Sequence, residues 1–147
     1  MLLQGEILSK EVAKQMSPVT LAFLGDAVYT LYVRERLVKT SGAKVGDLQR
    51  VSSKILSAHA QSEFLECLLP LFTEEENDIF HRGRNAKKAT KSKNSTPAQY
   101  NRSTGLEAVV GYLYVTGEIQ RLEELFSVLD EEKFKAISQG SSFKPSH

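Results

Sequence analysis

Apolar side chains recur at helical spacing along most of this 147-residue chain. Ser17 followed by Pro18 is a typical helix start, and the pattern behind this pair predicts a helix that runs to about Lys39. The apolar positions that we expect to form its core are Leu21, Phe23, Leu24, Val28, Leu31, Tyr32 and Val33. Because acids interrupt it only at Asp26 and Glu35, we expect this helix to be central to the domain or to a dimer.

Turn and capping residues divide the rest of the chain into further helices. Periodicity and capping signals predict them at about 48–69, 73–84, 104–116, 119–129 and 131–137. Gly117 is expected to end the helix at 104–116. No segment shows the alternation of a strand, so the sequence predicts an all-α fold. Its length fits one domain, which we place at residues 1–138, before a flexible tail at 139–147.

The composition excludes several classes of protein. The single cysteine, Cys67, lies among apolar residues, and one cysteine with three scattered histidines gives no zinc-type ligand spacing. The N-terminus lacks the regions of a signal peptide, and no apolar run approaches the roughly 18 residues of a membrane span. We therefore expect a reducing, cytoplasmic location without membrane contact.

Two acidic residues stand out because each lies in an otherwise apolar helical segment. Asp26 follows Gly25 within residues 21–28, and Glu107 precedes Gly111 within residues 106–111. An ionised carboxylate that is removed from water needs an ionic partner, hydrogen bonds or a metal ion. A lone acid of this kind is most often paired with a lysine or arginine, and that structural explanation stays open for each residue.

Taken together, the two acids favour a metal site. The small residues Gly25 and Gly111 permit the close approach of two helices, which would bring Asp26 and Glu107 together. Adjacent carboxylates repel each other, and a divalent cation such as Mg²⁺ relieves this repulsion while it keeps several of its waters. A metal ion held in this way activates water for hydrolysis of a phosphodiester and neutralises charge on the phosphate.

A basic segment lies between the two acidic motifs. Residues 81–102 contain seven of the 19 basic side chains and no acid, so the rest of the chain has 12 basic and 18 acidic residues. This distribution is typical of a surface that binds a polyanion. The residues that we expect to bind RNA, on a loop at about 82–102, are Arg82, Arg84, Lys87, Lys88, Lys91 and Lys93. A solvated loop without a partner is the alternative.

The two acidic motifs together resemble the ribonuclease III family. Residues 21–27, Leu-Ala-Phe-Leu-Gly-Asp-Ala, are similar to its signature helix, in which a Phe-Leu-Gly-Asp core supplies a catalytic aspartate. Residues 107–114, Glu-Ala-Val-Val-Gly-Tyr-Leu-Tyr, are similar to its second acidic motif, and the likeness extends over residues 17–129. The resemblance implies that Asp26 and Glu107 are catalytic residues and metal ligands. It also implies a homodimer in which Phe23 packs into the partner subunit.

Departures from the longer family members indicate a short branch. Those enzymes carry a glutamate where this chain has Ala22, and an aspartate where it has Thr104. The chain also ends before the double-stranded-RNA-binding domain that normally follows, which resembles the branch called Mini-ribonuclease III. That branch implies a homodimeric, Mg²⁺-dependent nuclease that trims the ends of precursor 23S (large-subunit) ribosomal RNA. With two carboxylates per site, we expect one metal ion per subunit.

Three functions are consistent with these observations. The first is metal-assisted hydrolysis of double-stranded RNA, with a water activated near Asp26. The second is a non-catalytic RNA-binding or ribosome-assembly dimer, which the missing acids at Ala22 and Thr104 favour. The third is a helical interaction module whose acids are only salt-bridged, and this function predicts no metal binding.

Overall fold

A computed structural model of the protein describes residues 5–42, 44–88 and 95–129. Within these ranges the regular structure consists of α1 (Lys10–Gln15), α2 (Pro18–Thr40), α3 (Val45–Leu56), α4 (Ala58–Leu68), a 3-10 turn (Leu69–Leu71), α5 (Glu74–Asn85), α6 (Pro97–Val115) and α7 (Ile119–Leu129). The same ranges contain no strand, which confirms the predicted all-α fold. The helix predicted at 131–137 and the tail predicted at 139–147 lie outside the described residues.

Helix α6 is the centre of the fold, with α2, α4 and α5 packed against it. Its buried residues are Ser103, Thr104, Gly105, Leu106, Ala108, Val109, Val110, Gly111, Tyr112 and Leu113. It begins at Pro97 rather than at the predicted residue 104, because Thr96 and Gln99 cap its first turn with reciprocal hydrogen bonds. A helix that is buried on nearly every side needs no polar face, which explains its weak amphipathic pattern.

Helix α2 is buried on one side and exposed on the other. Most of its expected core is at least partly buried, but the prediction is wrong for Phe23 and Leu31, which are 83% and 50% exposed. These two residues lie on the same side of the helix as Val19 and Ala27, at intervals of four residues, and none of the four is buried. The described helices therefore leave an apolar stripe uncovered along α2.

The predicted helix at 48–69 is two helices, α3 and α4, which meet at Ser57. This residue has extended backbone angles (φ −61°, ψ 152°), and its Oγ accepts a hydrogen bond from the amide of Ala60 at 3.1 Å. Ser57 therefore ends one helix and caps the next. Apolar spacing did not reveal the break, since residues on both sides of it, such as Ile55 and Leu65, enter the same core.

Other local predictions are confirmed. Thr73 and Glu76 form the predicted capping box at the start of α5. Gly117 follows α6 with a φ of 79°, as expected of a glycine that ends a helix. Helix α1 was not predicted, because it is only six residues long and buries only Ala13. Among the described helices, none combines the length and apolar character that a membrane span requires.

Candidate active site

The predicted acidic residues lie where α2 crosses α6. At this crossing a Cβ atom on Gly25 would be 1.8 Å from the carbonyl oxygen of Glu107. A Cβ atom on Gly111 would be 1.9 Å from the carbonyl oxygen of Leu21. Both distances are much shorter than a van der Waals contact, so only glycine fits at either position. The prediction that these two glycines allow a close helix approach is confirmed.

Asp26 and Glu107 are brought together by this crossing, and their side chains are hydrogen-bonded. Asp26 is exposed, whereas Glu107 is partly buried. Burial, the hydrogen bond with Asp26 and the charge of Asp26 together raise the pKa of Glu107 to about 9. Without a cation, Glu107 therefore retains its proton at neutral pH. A cation that replaces this proton would stabilise the two adjacent carboxylates.

No lysine or arginine in the described ranges forms an ion pair with Asp26 or Glu107. Both carboxylates instead line an open cleft of about 390 Å³. The described residues therefore give no support to the interpretation in which these acids are only salt-bridged. An acid pair that lines an open cleft and has no ion-pair partner among the described residues is available to a ligand.

The positions that distinguish this chain from the longer family members lie in the same cleft. Ala22 and Thr104 both line it, and the hydroxyl of Thr104 donates to the carbonyl of Tyr100 at 3.0 Å. Across the described ranges, no group of three or more histidine, cysteine, aspartate or glutamate residues could hold a metal ion. Among the described residues the site therefore offers two carboxylates, and water would complete the coordination of a bound ion. This donor set fits Mg²⁺, which is often bound by one or two carboxylates and several waters.

The predicted RNA-binding residues differ in their surroundings. Lys91 and Lys93 lie outside the described residues, and Lys87 is exposed. The guanidinium carbon of Arg84 is 5.6 Å from the ring centroid of Phe80. The basic segment is only partly a loop, because residues 82–85 belong to α5 and residues 97–102 belong to α6.

Two of these cations donate to backbone carbonyls. Arg82 donates to the carbonyl oxygens of Lys14 and Met16, at 2.9 and 3.2 Å, and so connects α5 to the end of α1. Lys88 Nζ donates to the carbonyl oxygens of Gly83 and Arg84, at 2.8 and 2.9 Å. Lys88 also lines the cleft, and partial burial lowers its pKa. Its side chain therefore lines the same cleft as the two carboxylates.

Sequence reasoning missed Gln61, which is buried in the wall of the cleft. Gln61 shares one side of α4 with Phe64, Leu65 and Leu68, and all four residues are buried. These positions have the spacing of an apolar helix face. An amide within such a series was the signal that could have identified this residue.

Comparison with known proteins identifies the family of this chain. The model of the ribonuclease III domain matches residues 19–118. Mini-ribonuclease 3 of Symbiobacterium thermophilum is 47% identical over 110 residues, which cover 75% of this chain and 85% of the relative. Mini-ribonuclease 3 of Thermoanaerobacter sp. is 42% identical, over 84% of this chain and 87% of the relative. The same protein of Staphylococcus aureus is 44% identical, over 78% of this chain and 87% of the relative.

A solved structure also matches this fold. A crystal structure of a protein from Fusobacterium nucleatum matches with a TM-score of 0.75 and 26% sequence identity, over 84% of this chain and 98% of that chain. The region that the family model matches contains both Asp26 and Glu107. The chain therefore belongs to the ribonuclease III family, within its Mini-ribonuclease 3 branch, and is an endoribonuclease.

Proposed function

We propose that this endoribonuclease cleaves double-stranded RNA at Asp26 and Glu107, with Mg²⁺ as its metal ion. The observation that carries the proposal is the meeting of two carboxylates in an open cleft without a lysine or arginine partner among the described residues. Enzymes of this family act on double-stranded RNA and generally depend on a divalent metal ion. When bound, the ion would lower the pKa of a water molecule and neutralise charge on the phosphate.

The chain itself provides fixed positions for charge. Gly25 is bonded to Asp26 and contacts the backbone of Glu107, so the two carboxylates are placed by the backbone and not by long side chains alone. Asp26, which is exposed, can reach a hydrated ligand, while Glu107 is held by its partly buried environment. The Lys88 ammonium group lies in the same cleft and can stabilise the negative charge of an RNA phosphate.

The proposed natural substrate is the ends of precursor 23S ribosomal RNA in the cytoplasm, as the likeness to the Mini-ribonuclease 3 branch suggests. We further propose that residues 1–138 form a single catalytic domain. The first experiment incubates the purified protein with duplex RNA and Mg²⁺, or with a chelator in place of Mg²⁺. Cleavage only with Mg²⁺ is expected, and unchanged cleavage in the chelator would contradict the metal site. Paired precursor ends should be cleaved faster than a random duplex of equal length.

The basic segment is proposed to supply RNA affinity. Changing Lys87, Lys88, Lys91 and Lys93 together to alanine is expected to weaken duplex binding, because fewer counterions are then released from the RNA. The slope of log affinity against log salt concentration should fall by about 1 for each lysine that no longer binds a phosphate. Fluorescence anisotropy in the presence of a chelator, where no cleavage occurs, measures this slope. An unchanged slope would show that these lysines do not contact the RNA.

Arg82 is a useful comparison within the same segment. Its guanidinium group donates to two backbone carbonyls of the α1 region, so Arg82→Ala is expected to lower the melting temperature. If this side chain has only a structural role, the salt dependence of RNA binding will not change. A slope that falls by about 1 in this variant would place Arg82 among the phosphate-binding residues as well.

The apolar stripe on α2 is proposed to form the dimer interface. Phe23 is the most exposed large apolar residue among those described. Burial of such an exposed aromatic side chain by a partner is energetically favourable. Phe23→Glu is expected to raise the dimer dissociation constant at least about 100-fold, since each of two symmetry-related rings loses roughly 1.5–3 kcal/mol of burial. Analytical ultracentrifugation measures this change.

A matched control for the dimer experiment is Leu71→Glu. Leu71 is also a large exposed apolar residue, but it lies in the 3-10 turn, where its carbonyl accepts from Arg121. This change is expected to leave self-association unaltered. A Phe23 variant that dimerises as tightly as the unmodified protein would show that the α2 stripe has another role.

A further inference from the structure

The cleft contains a buried amide that the proposed reaction does not use. Gln61 is 4% exposed and lies on α4, in the wall of the cleft that Asp26 and Glu107 also line. Buried amides normally satisfy both their N–H groups and their carbonyl oxygen. The hydrogen bonds of Gln61 therefore indicate what it recognises.

The nitrogen of this amide has two acceptors. Gln61 Nε2 donates to the carbonyl oxygen of Leu56 at 3.0 Å. Gln61 also hydrogen-bonds Glu107. Because Gln61 Oε1 has no hydrogen-bond partner among the described residues, the amide N–H must be the donor to Glu107. The orientation of the amide is thus fixed by a backbone carbonyl on one side and a carboxylate on the other.

The oxygen of the same amide has no partner. Gln61 Oε1 is buried and accepts no hydrogen bond. Reversing the amide would place this oxygen against the Leu56 carbonyl, where two acceptors repel, so the orientation cannot be exchanged without losing a bond. A buried acceptor beside a site for a hydrated cation is suited to a donor that arrives with the ion. The waters that Mg²⁺ keeps when it binds to carboxylates are such donors.

We propose that Gln61 is a positioning residue of the metal site, which holds Glu107 through its N–H group and orients a water of the hydrated cation through its carbonyl oxygen. The inference rests on the proposed function. It explains how two carboxylates suffice in a cleft where Ala22 and Thr104 provide no further acid. Mutation of a residue that orients the ligands of a metal ion typically lowers metal affinity by about 10- to 100-fold.

The experiment is calorimetric titration of the full chain with Mn²⁺ in the absence of RNA. Mn²⁺ is suitable because it prefers the same carboxylate, carbonyl and water oxygens as Mg²⁺. Gln61→Met keeps a side chain of similar length and removes both polar groups. It is expected to raise the dissociation constant about 10- to 100-fold. An unchanged constant in a folded Gln61→Met protein would overturn the inference.

Tyr29→Phe is the matched control. The Tyr29 hydroxyl is also buried without a partner and lies near Glu107, but Tyr29 does not line the cleft. Its removal is expected to leave Mn²⁺ affinity unchanged. An equal loss of affinity in the Tyr29 and Gln61 variants would indicate a buried polar network, and it would overturn the assignment of the Gln61 oxygen to the cation's waters.

Two further variants separate the possible failures. If the unmodified protein binds no Mn²⁺, or if Asp26→Asn binds it equally well, the proposed metal site itself is wrong. If Gln61→Met does not fold, Gln61→Asn retains the amide on a shorter side chain. The increase in melting temperature on adding Mn²⁺ then measures binding, and it should be smaller for Gln61→Asn than for the unmodified protein. An equal increase would overturn the inference.

Discussion

Changing Asp26 to asparagine is expected to lower the rate of RNA cleavage at least about 10³-fold, which corresponds to ~4 kcal/mol of lost transition-state stabilisation. Asparagine has nearly the same shape as aspartate but carries no charge to hold a divalent cation. Because the side chain is exposed, the change removes no core packing. In the metal-free protein the asparagine carbonyl oxygen can still accept a hydrogen bond from the protonated Glu107, so the fold should be about as stable as before.

The measurement combines three readouts on the same preparation. Single-turnover cleavage of a duplex gives the rate, fluorescence anisotropy with a chelator gives RNA affinity, and thermal denaturation gives stability. Only the rate should change in Asp26→Asn. Glu107→Gln should also lose activity, since both carboxylates are needed at one site. Full activity of either variant would remove that residue from the mechanism.

Changing Gly25 or Gly111 to alanine is expected to destabilise the protein by at least about 3 kcal/mol, or roughly 10 °C in melting temperature. The added Cβ atom would meet a backbone carbonyl oxygen on the opposite helix, at 1.8 Å for Gly25 and 1.9 Å for Gly111. A backbone atom cannot turn aside as a flexible side chain can, so α2 and α6 must separate. Activity should fall as well, because the two carboxylates would separate with the helices.

Gly46→Ala is the matched control for these two variants. Gly46 lies in the first turn of α3, and a Cβ atom there would meet nothing within 4 Å. Alanine is therefore expected to raise the free energy of unfolding by about 0.4–1 kcal/mol, because it restricts the unfolded chain. Urea denaturation of the three variants tests the contrast. A Gly25 variant as stable as the Gly46 variant would contradict the observed closeness of the crossing.

Local signals in the sequence predicted several helix boundaries correctly. Thr73 with Glu76, and Gly117 after α6, act within a few residues of the boundary that they mark. The boundary at Ser57 was missed, because apolar spacing continues through it and only its role as a cap reveals the break. The start of α6 was missed for a related reason, since Thr96 and Pro97 follow a stretch with the composition of a loop.

The sequence supported those site predictions that did not depend on long-range contacts. Asp26 and Glu107 were recognisable because a charge in an apolar helix is anomalous wherever the helix packs. The exposure of Phe23 depends on which side of α2 the other helices cover, and the sequence does not specify that side. Likewise, the charge pattern grouped Arg82 with its neighbours but did not show that backbone carbonyls near α1 are its acceptors.

The glycine crossing gives the cleft a property that side-chain packing alone would not provide. Sliding α2 along α6 by one helical turn would move the paired oxygens about 5.4 Å apart. The two glycines prevent this movement, because each backbone fits into the gap left by the missing side chain on the other. The distance across the acidic pair is therefore determined by main-chain atoms. Substitutions of side chains elsewhere in the interior are therefore expected to leave the spacing of the two carboxylates unchanged.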